Sequence, residues 1–366
     1  ALALLTDTGS ALTLQRKVTV GAEPLGLVAS EDGSRLFVAN SQSGTVVEFD
    51  GANLTEKNRW DVGGSPAWLA LHPSGKTLFV AHAMGGKMTR ITTGVTGAPA
   101  IDPLAMPSVT APNFDGDGPT ELSVRITGDP SISPDGKQLY IPAFYVNNKT
   151  PVPADPVDDQ QDIDNGDGYG SSEGGVPRFN PTVVAVPLDS VGEAQPSKAQ
   201  TFSLDGRDDS GATVASYPTS TTVTPDGNAV AVTMESSNAV ALLNTVQLQK
   251  DSCTYGTGAV PGENSRERRD MPAVVNPGGT VFSPIARLTY KTDRAPRGVV
   301  FTDRNDAFVH AAFSRTVAGL DASSGRPAVG GESEMRIQVA DRDHGVIGSS
   351  LLLTRRSIDR SVELGR

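Results

Sequence analysis

The chain has 366 residues, with 42 acidic against 31 basic side chains and a net charge of −11. That balance excludes nucleic acid or an anionic membrane surface as the natural partner, and no apolar run approaches the roughly 18 residues of a membrane span. A single cysteine, Cys253, excludes an internal disulfide and a Cys-x-x-Cys-His haem attachment, while 39 Gly, 26 Pro and only 5% aromatics point to many tight turns.

Residues 1–21 read as part of a unit: Ala3–Asp7 and Leu14–Val20 have the character of a third and an outer strand. The complete unit follows in Glu23–Asp50, EPLGLVASEDGSRLFVANSQSGTVVEFD. Leu25, Leu27 and Ala29 alternate, Asp32-Gly33 breaks the run where a hairpin needs positive φ, and Leu36–Ala39 forms a second apolar run. Ser41–Gly44 turns the chain again, Thr45–Phe49 is β-branched and aromatic, and Arg59–Val62 closes the unit.

The unit then recurs at Ser65–Ile91, Asp129–Tyr145, Tyr217–Asn244 and Ala295–Asp321. Its turn dipeptides align as Asp32-Gly33, Ser74-Gly75, Asp135-Gly136 and Asp226-Gly227, with Asp303-Arg304-Asn305 in the fifth copy. Several short strands repeating about every 40 residues predict an all-β fold, a β-propeller of four-stranded blades. Each blade can bury its faces only against its neighbours. Five inner-strand pairs and the opening half predict six blades if the C-terminal end completes the ring, and seven only with further sequence.

Units of the form P-x-G-strand-D-G-x-x-L-[FY]-V-A-N-turn-strand resemble the YVTN, surface-layer-type propeller repeats, and the likeness covers most of residues 1–345. It implies the propeller fold and leaves the activity open, since that fold carries lactonases, cytochromes, adhesins and scaffolds.

Three insertions interrupt the repeat: Gly94–Gly128, Asn147–Asn180 and Gln249–Pro284. All are polar and rich in Gly and Pro, so we expect them on the propeller's rims. The first contains Asn113-Phe114-Asp115-Gly116-Asp117-Gly118-Pro119-Thr120-Glu121. Asn113, Asp115 and Asp117 stand where a Ca²⁺ loop places its first oxygen ligands, and Glu121 takes a later one. Val124 stands where an EF-hand needs its bidentate Glu, and no helical pattern flanks the loop, so an EF-hand is not expected.

The second insertion holds seven carboxylates within 19 residues: Asp155, Asp158, Asp159, Asp162, Asp164, Asp167 and Glu173. They repel one another unless a cation or solvent intervenes. Asp162, Asp164, Asp167 and Glu173 are the ligand candidates, although Gly166 and Asp167 reverse the usual order. Hard oxygen ligands without His or Cys favour Ca²⁺ over a transition metal. A hydrated acidic loop is the plain alternative in both places.

Of the four histidines, His82 and His310 fall at or beside the place of Asn40, His72 falls in a turn, and His344 lies near the end. None has a helical partner for a metal site, and structural or surface roles are the default. Met84, Met88 and Met234 are expected in the blade core, and Trp60 and Trp68 in blade packing. No G-x-S-x-G elbow, P-loop or H-E-x-x-H occurs, so no catalytic residue is assigned.

Residues 346–366 form a tail whose Leu351–Arg366 changes from strand-like to helical patterning. Its Ser361–Arg366 run, SVELGR, resembles the lead-in to a bacterial di-haem cytochrome c peroxidase domain. That resemblance implies a haem domain beyond this chain, which itself has no haem attachment motif.

The preferred expectation is an exported, extracytoplasmic, non-catalytic binding or scaffold module stabilised by Ca²⁺, meeting a protein or cell-surface partner through its rim loops. The start at Ala1 rather than Met fits export. Two alternatives stay open: the propeller portion of a periplasmic or surface di-haem cytochrome, and a lactonase-like hydrolase.

Overall fold

The computed structural model describes residues 1–7, 12–94, 100–111, 120–146, 148, 179–204, 217–245, 283–284, 287–292, 294–301, 306–321, 326–327 and 337–338. The chain is an all-β propeller of small antiparallel sheets. Leu2–Asp7 and Leu12–Val18 pair as a two-stranded sheet. Blade I comprises Pro24–Ala29, Arg35–Asn40, Thr45–Asp50 and Glu56–Asp61. Blade II comprises Pro66–Leu71, Thr77–His82, Met88–Thr92 and Ile101–Leu104.

In blade III a short first strand, Ser131–Ile132, is followed by Gln138–Val146, Phe179–Pro187 and Gln200–Ser203. Blade IV is Pro218–Val223, Ala229–Met234, Ala239–Asn244 and Arg287–Lys291. Blade V is Pro296–Phe301, Asp306–Ala311 and Thr316–Asp321, with Arg326–Pro327 and Ile337–Gln338 pairing along its third strand. Residues 346–366, expected to complete the ring, lie outside the described residues.

In blades I, III and IV the turn that joins the first two strands is built by the same chemistry. Asp32 accepts from the Ser30 hydroxyl at 2.6 Å and the Ser34 amide at 3.0 Å. Asp135 accepts from Ser133 and Lys137, and Asp226 from Thr224 and Asn228, in the same way. The next residue takes a left-handed φ of 69° at Gly33, 73° at Gly136 and 75° at Gly227, which glycine adopts without strain. Those donors hold the Asp32 carboxyl down at about 2.

Packing runs between blades, not within them. Phe37, Ala39, Val46 and Trp60 of blade I meet Leu69, Leu78, Val80 and Ile91 of blade II. Phe79, Ala81 and Met88 of blade II pack on Leu139, Ile141, Val184 and Val186 of blade III. Tyr140, Val183 and Phe202 of blade III pack on Val230, Val232 and Leu243 of blade IV, whose other face meets Val299, Phe301 and Val309 of blade V. Val20, with Leu2 and Val18, covers the free face of blade I. Trp60 stacks on Phe37, with centroids 6.1 Å apart. Removing a large side chain from such a boundary costs about 3–5 kcal/mol.

A buried ion pair adds a polar latch between blades I and II. Arg35 pairs with Glu48 at 2.6 Å and donates to the Gly75 carbonyl, also at 2.6 Å, in the turn of blade II. Asn58 donates to the other Glu48 oxygen at 2.7 Å. Similarly, His72 contacts the Gly136 carbonyl at 3.0 Å in the next turn, so the default structural role expected for it is the one observed.

Two expectations are corrected. The first insertion is not a bare rim loop, because Ile101–Leu104 is the outer strand of blade II and Val109–Ala111 and Thr120–Ile126 are strands too. Pro103 hid the outer strand from the sequence pattern; an edge strand tolerates Pro because no neighbour needs its N–H. Thr120–Ile126 extends blade III by pairing with Ala143–Val146, which is why the second strand there runs to nine residues. In addition, Met84 is not core: it is 74% exposed, whereas Met88 and Met234 are buried.

Candidate functional site

The strand order divides the propeller's ends into two faces. One carries the Asp-Gly turns. The other, here called the mouth face, carries the loops from second to third strands and the connectors between blades. The first strands of blades I, II, IV and V start at the mouth face with a proline: Pro24 pairs with Asn40, Pro66 with His82, Pro218 with Met234 and Pro296 with Ala311. The register slips by one residue after each of these prolines. A bulge re-aims the residue it contains. In blade V that residue is Arg297.

Arg297 donates through Nη2 to Glu235 Oε1 at 2.9 Å, across the boundary between blades V and IV. Its positive charge also acts on Asp129 and on His310. Asp129 directly precedes Pro130, at the mouth end of blade III. Its amide donates to the Thr219 carbonyl at 3.1 Å, and its carbonyl accepts from the Thr221 amide at 2.9 Å. The inner edges of blades III and IV are thereby bonded directly.

The bond needs Gly128, where a Cβ would lie 1.7 Å from the Thr219 carbonyl oxygen. A hydroxyl cluster stands behind: Thr219 Oγ1 and Ser220 Oγ each lie 2.8 Å from Thr233 Oγ1, and Thr219 donates to the Pro296 carbonyl at 2.9 Å.

Part of Asp129 reaches solvent, yet its carboxyl is densely surrounded, and the lost hydration pushes it up to about 7 against the pull of Arg297. Burial, and then Arg297, lower His310, which is therefore neutral at pH 7. The site thus combines a carboxyl that exchanges a proton near neutrality, a guanidinium fixed on one side by Glu235, and an uncharged imidazole. Such a set can hold a carboxylate or polarise a carbonyl, and it can pass one proton.

The other half of the mouth is structural. Asn40 and His82 are fully buried beneath the connector glycines Gly21 and Gly64. His82 Nε2 lies 2.9 Å from Thr89 Oγ1, while its Nδ1 has no partner in the structure. Burial, with Lys87 nearby, lowers its pKa to about 4. His82 and His310 sit on different blades, and among the described residues no three His, Cys, Asp or Glu side chains group closely enough to hold a metal.

Of the Ca²⁺ candidates, Glu121 lies on the strand Thr120–Ile126 and accepts from the Ser108 hydroxyl at 2.7 Å. Asn113, Asp115, Asp117, Asp162, Asp164, Asp167 and Glu173 lie outside the described residues, as do Cys253 and His344.

Sequence reasoning did not find Asp129, Glu235 or Arg297, and it gave His310 only a structural or surface role. The signal was positional: Asp129 precedes the repeat's proline, Arg297 is the x of P-x-G, and Glu235 follows a second strand. Only alignment of the repeats by register shows that one ring end collects them.

The family model described as Lactonase, 7-bladed beta-propeller, matches residues 2–102, which span the two-stranded sheet and blades I and II. No curated protein matches the chain. Among solved structures, Kuenenia stuttgartiensis hydrazine synthase is similar at 18% identity, with 87% of this chain and 89% of that chain covered and a TM-score of 0.50. A functionally unknown protein from Desulfotomaculum acetoxidans is similar at 14% identity, covering 94% of this chain and 76% of that one, with a TM-score of 0.48. No helix among the described residues is long and apolar enough to cross a membrane. At 18% identity the likeness to hydrazine synthase is one of fold, and it agrees with the β-propeller that the strands form.

Proposed function

We propose that this propeller is a binding module whose working surface is the mouth face, with Asp129 and Arg297 near its centre. One observation carries the reading. The mouth face holds both the Asp129–Arg297–Glu235–His310 group and the two most exposed large apolar side chains among the described residues, Met84 at 74% and Phe313 at 70%. Ca²⁺ bound by residues 113–121 and 162–173 and an extracytoplasmic location belong to the same reading. Photo-reactive residues at Met84 and Phe313, compared with Lys76 and Val191 on the turn face, test it in the producing organism. Adducts are expected from the first pair only, and adducts confined to the second pair would overturn the reading.

A second reading, lactone opening, is favoured by Asp129, whose carboxyl titrates near 7 under the charge of Arg297, and by the match of residues 2–102 to the lactonase propeller. Asp129 would take a proton from the attacking water, and Arg297 would face the carbonyl oxygen on which charge develops. Hydrolysis of a panel of five- and six-membered lactones, lost in D129N, supports it. Full retention in D129N removes it.

A further inference from the structure

We propose that the blade V corner of the mouth face, Arg294, Phe313 and Arg315, docks an acidic segment of a partner protein; this rests on the mouth-face reading above. The argument comes from an internal comparison. The turn after the second strand is closed by Asn40 and Thr45 in blade I, by Met234 and Ala239 in blade IV, and by Ala311 and Thr316 in blade V. Four residues lie between each pair, so Gln42, Ser236 and Phe313 are equivalent. By the same register so are Gly44, Asn238 and Arg315.

The backbone frame is also shared. The Ala22 amide donates to the Ser43 hydroxyl at 2.7 Å in blade I, and the Arg294 amide donates to the Ser314 hydroxyl at 2.9 Å in blade V. The Ser41 amide bonds the Glu23 carbonyl at 2.8 Å, as the Ala312 amide bonds that of Ala295 at 2.9 Å. Blade I builds this corner with Ala22, Gln42 and Gly44. Nothing in the turn's construction asks for two arginines and a phenylalanine.

The substitutions act against stability. The last turn position is left-handed in all three blades, with φ of 66° at Gly44, 50° at Asn238 and 56° at Arg315. Gly and Asn suit that conformation and Arg does not. Phe313 leaves 70% of its surface in water. Side chains that break a local rule without a packing gain mark a functional surface.

Their chemistry names the partner. The Arg294 guanidinium lies 4.7 Å from the centre of the Phe313 ring, and neither it nor Arg315 meets a carboxylate among the described residues. Arg297, three residues after Arg294, is already paired with Glu235. An exposed aromatic ring flanked by two arginines that meet no carboxylate among the described residues is hot-spot composition, and it brings cationic side chains together on a chain of net charge −11. Carboxylates with an adjacent apolar side chain complement it.

The test replaces the corner by its blade I equivalent, R294A/F313Q/R315G, in the full chain. The probe is a fluorescent peptide of eight glutamates ending in phenylalanine. The unaltered protein should bind it in a salt-sensitive way, the triple variant about tenfold more weakly or worse, and K76A/K137A on the turn face as well as before. A melting temperature in the triple variant at or above that of the unaltered protein confirms that the corner was exchanged without loss of the fold. Absence of peptide binding, equal binding by the triple variant, or equally tight binding of single-stranded DNA would each overturn the acidic-protein assignment. The mouth-face reading is judged separately, by cross-linking from Met84.

Discussion

Asn40 and His82 occupy one register position in neighbouring blades, each closing a second strand opposite the proline that opens the first. Both are fully buried, and each side chain reaches a threonine hydroxyl on the third strand, Thr45 or Thr89. An amide is therefore an adequate occupant of the His82 site. His82 stays neutral down to about pH 4 in the fold but accepts a proton near 6.5 when unfolded. Its contribution is complete above pH 6.5 and is lost as pH falls towards 4. H82N should fold normally, and its denaturation midpoint should fall less between pH 7 and 4.5 than that of the unaltered protein. Parallel profiles would show that His82 is not the acid-sensitive group.

Asp129 has the opposite sign. Its carboxyl titrates near 7 in the fold and near 3.8 otherwise, so stability declines as pH rises through that window and levels off above it. D129N should be more stable than the unaltered protein at pH 8, by roughly 1–2 kcal/mol after allowance for partial exposure, with little difference at pH 4. Urea denaturation at the two pH values measures this.

The axis depends on close backbone approach. A Cβ on Gly128 would strike the Thr219 carbonyl, and one on Gly26 would lie 2.4 Å from the Ala67 oxygen, whereas Gly298 has open space. G128A should lower stability by at least about 3 kcal/mol and G26A by somewhat less. G298A should be nearly neutral. Thermal denaturation of the three variants ranks them.

Glu48 is 4% exposed at its side chain and holds Arg35, whose Nη2 has no partner. E48A leaves that guanidinium without its counter-charge and should cost about 3 kcal/mol. The double variant E48A/R35M should recover much of the loss, since it removes the stranded charge as well.

Calcium is the expected ligand of residues 113–121 and 162–173. Adding Ca²⁺ to chelator-treated protein should raise the melting temperature and slow proteolysis at those segments, and D162N/D164N should reduce both effects. Mg²⁺ should not substitute. Identical melting with Ca²⁺ and with chelator would dismiss the calcium reading.

The blades were legible because alternation, Asp-Gly turns and inner-strand prolines are local signals, repeated at one spacing. Ile101–Leu104 was not, since a four-residue edge strand containing Pro103 leaves almost no pattern. The axial group was hidden for a different reason. Asp129, Glu235, Arg297 and His310 come from three blades, and what joins them is the packing of neighbouring blades and the bulge after the prolines. Phe313 and Arg315 look like ordinary turn residues until the register sets them against Gln42 and Gly44.

The most direct measurement is backbone hydrogen exchange of the full chain, alone and with the partner cross-linked from Met84 or Phe313. The account predicts slower exchange in the mouth-face loops 82–88, 235–238 and 312–315, with the turns 30–34, 72–76 and 224–228 unaffected. Protection confined to those turns would contradict it.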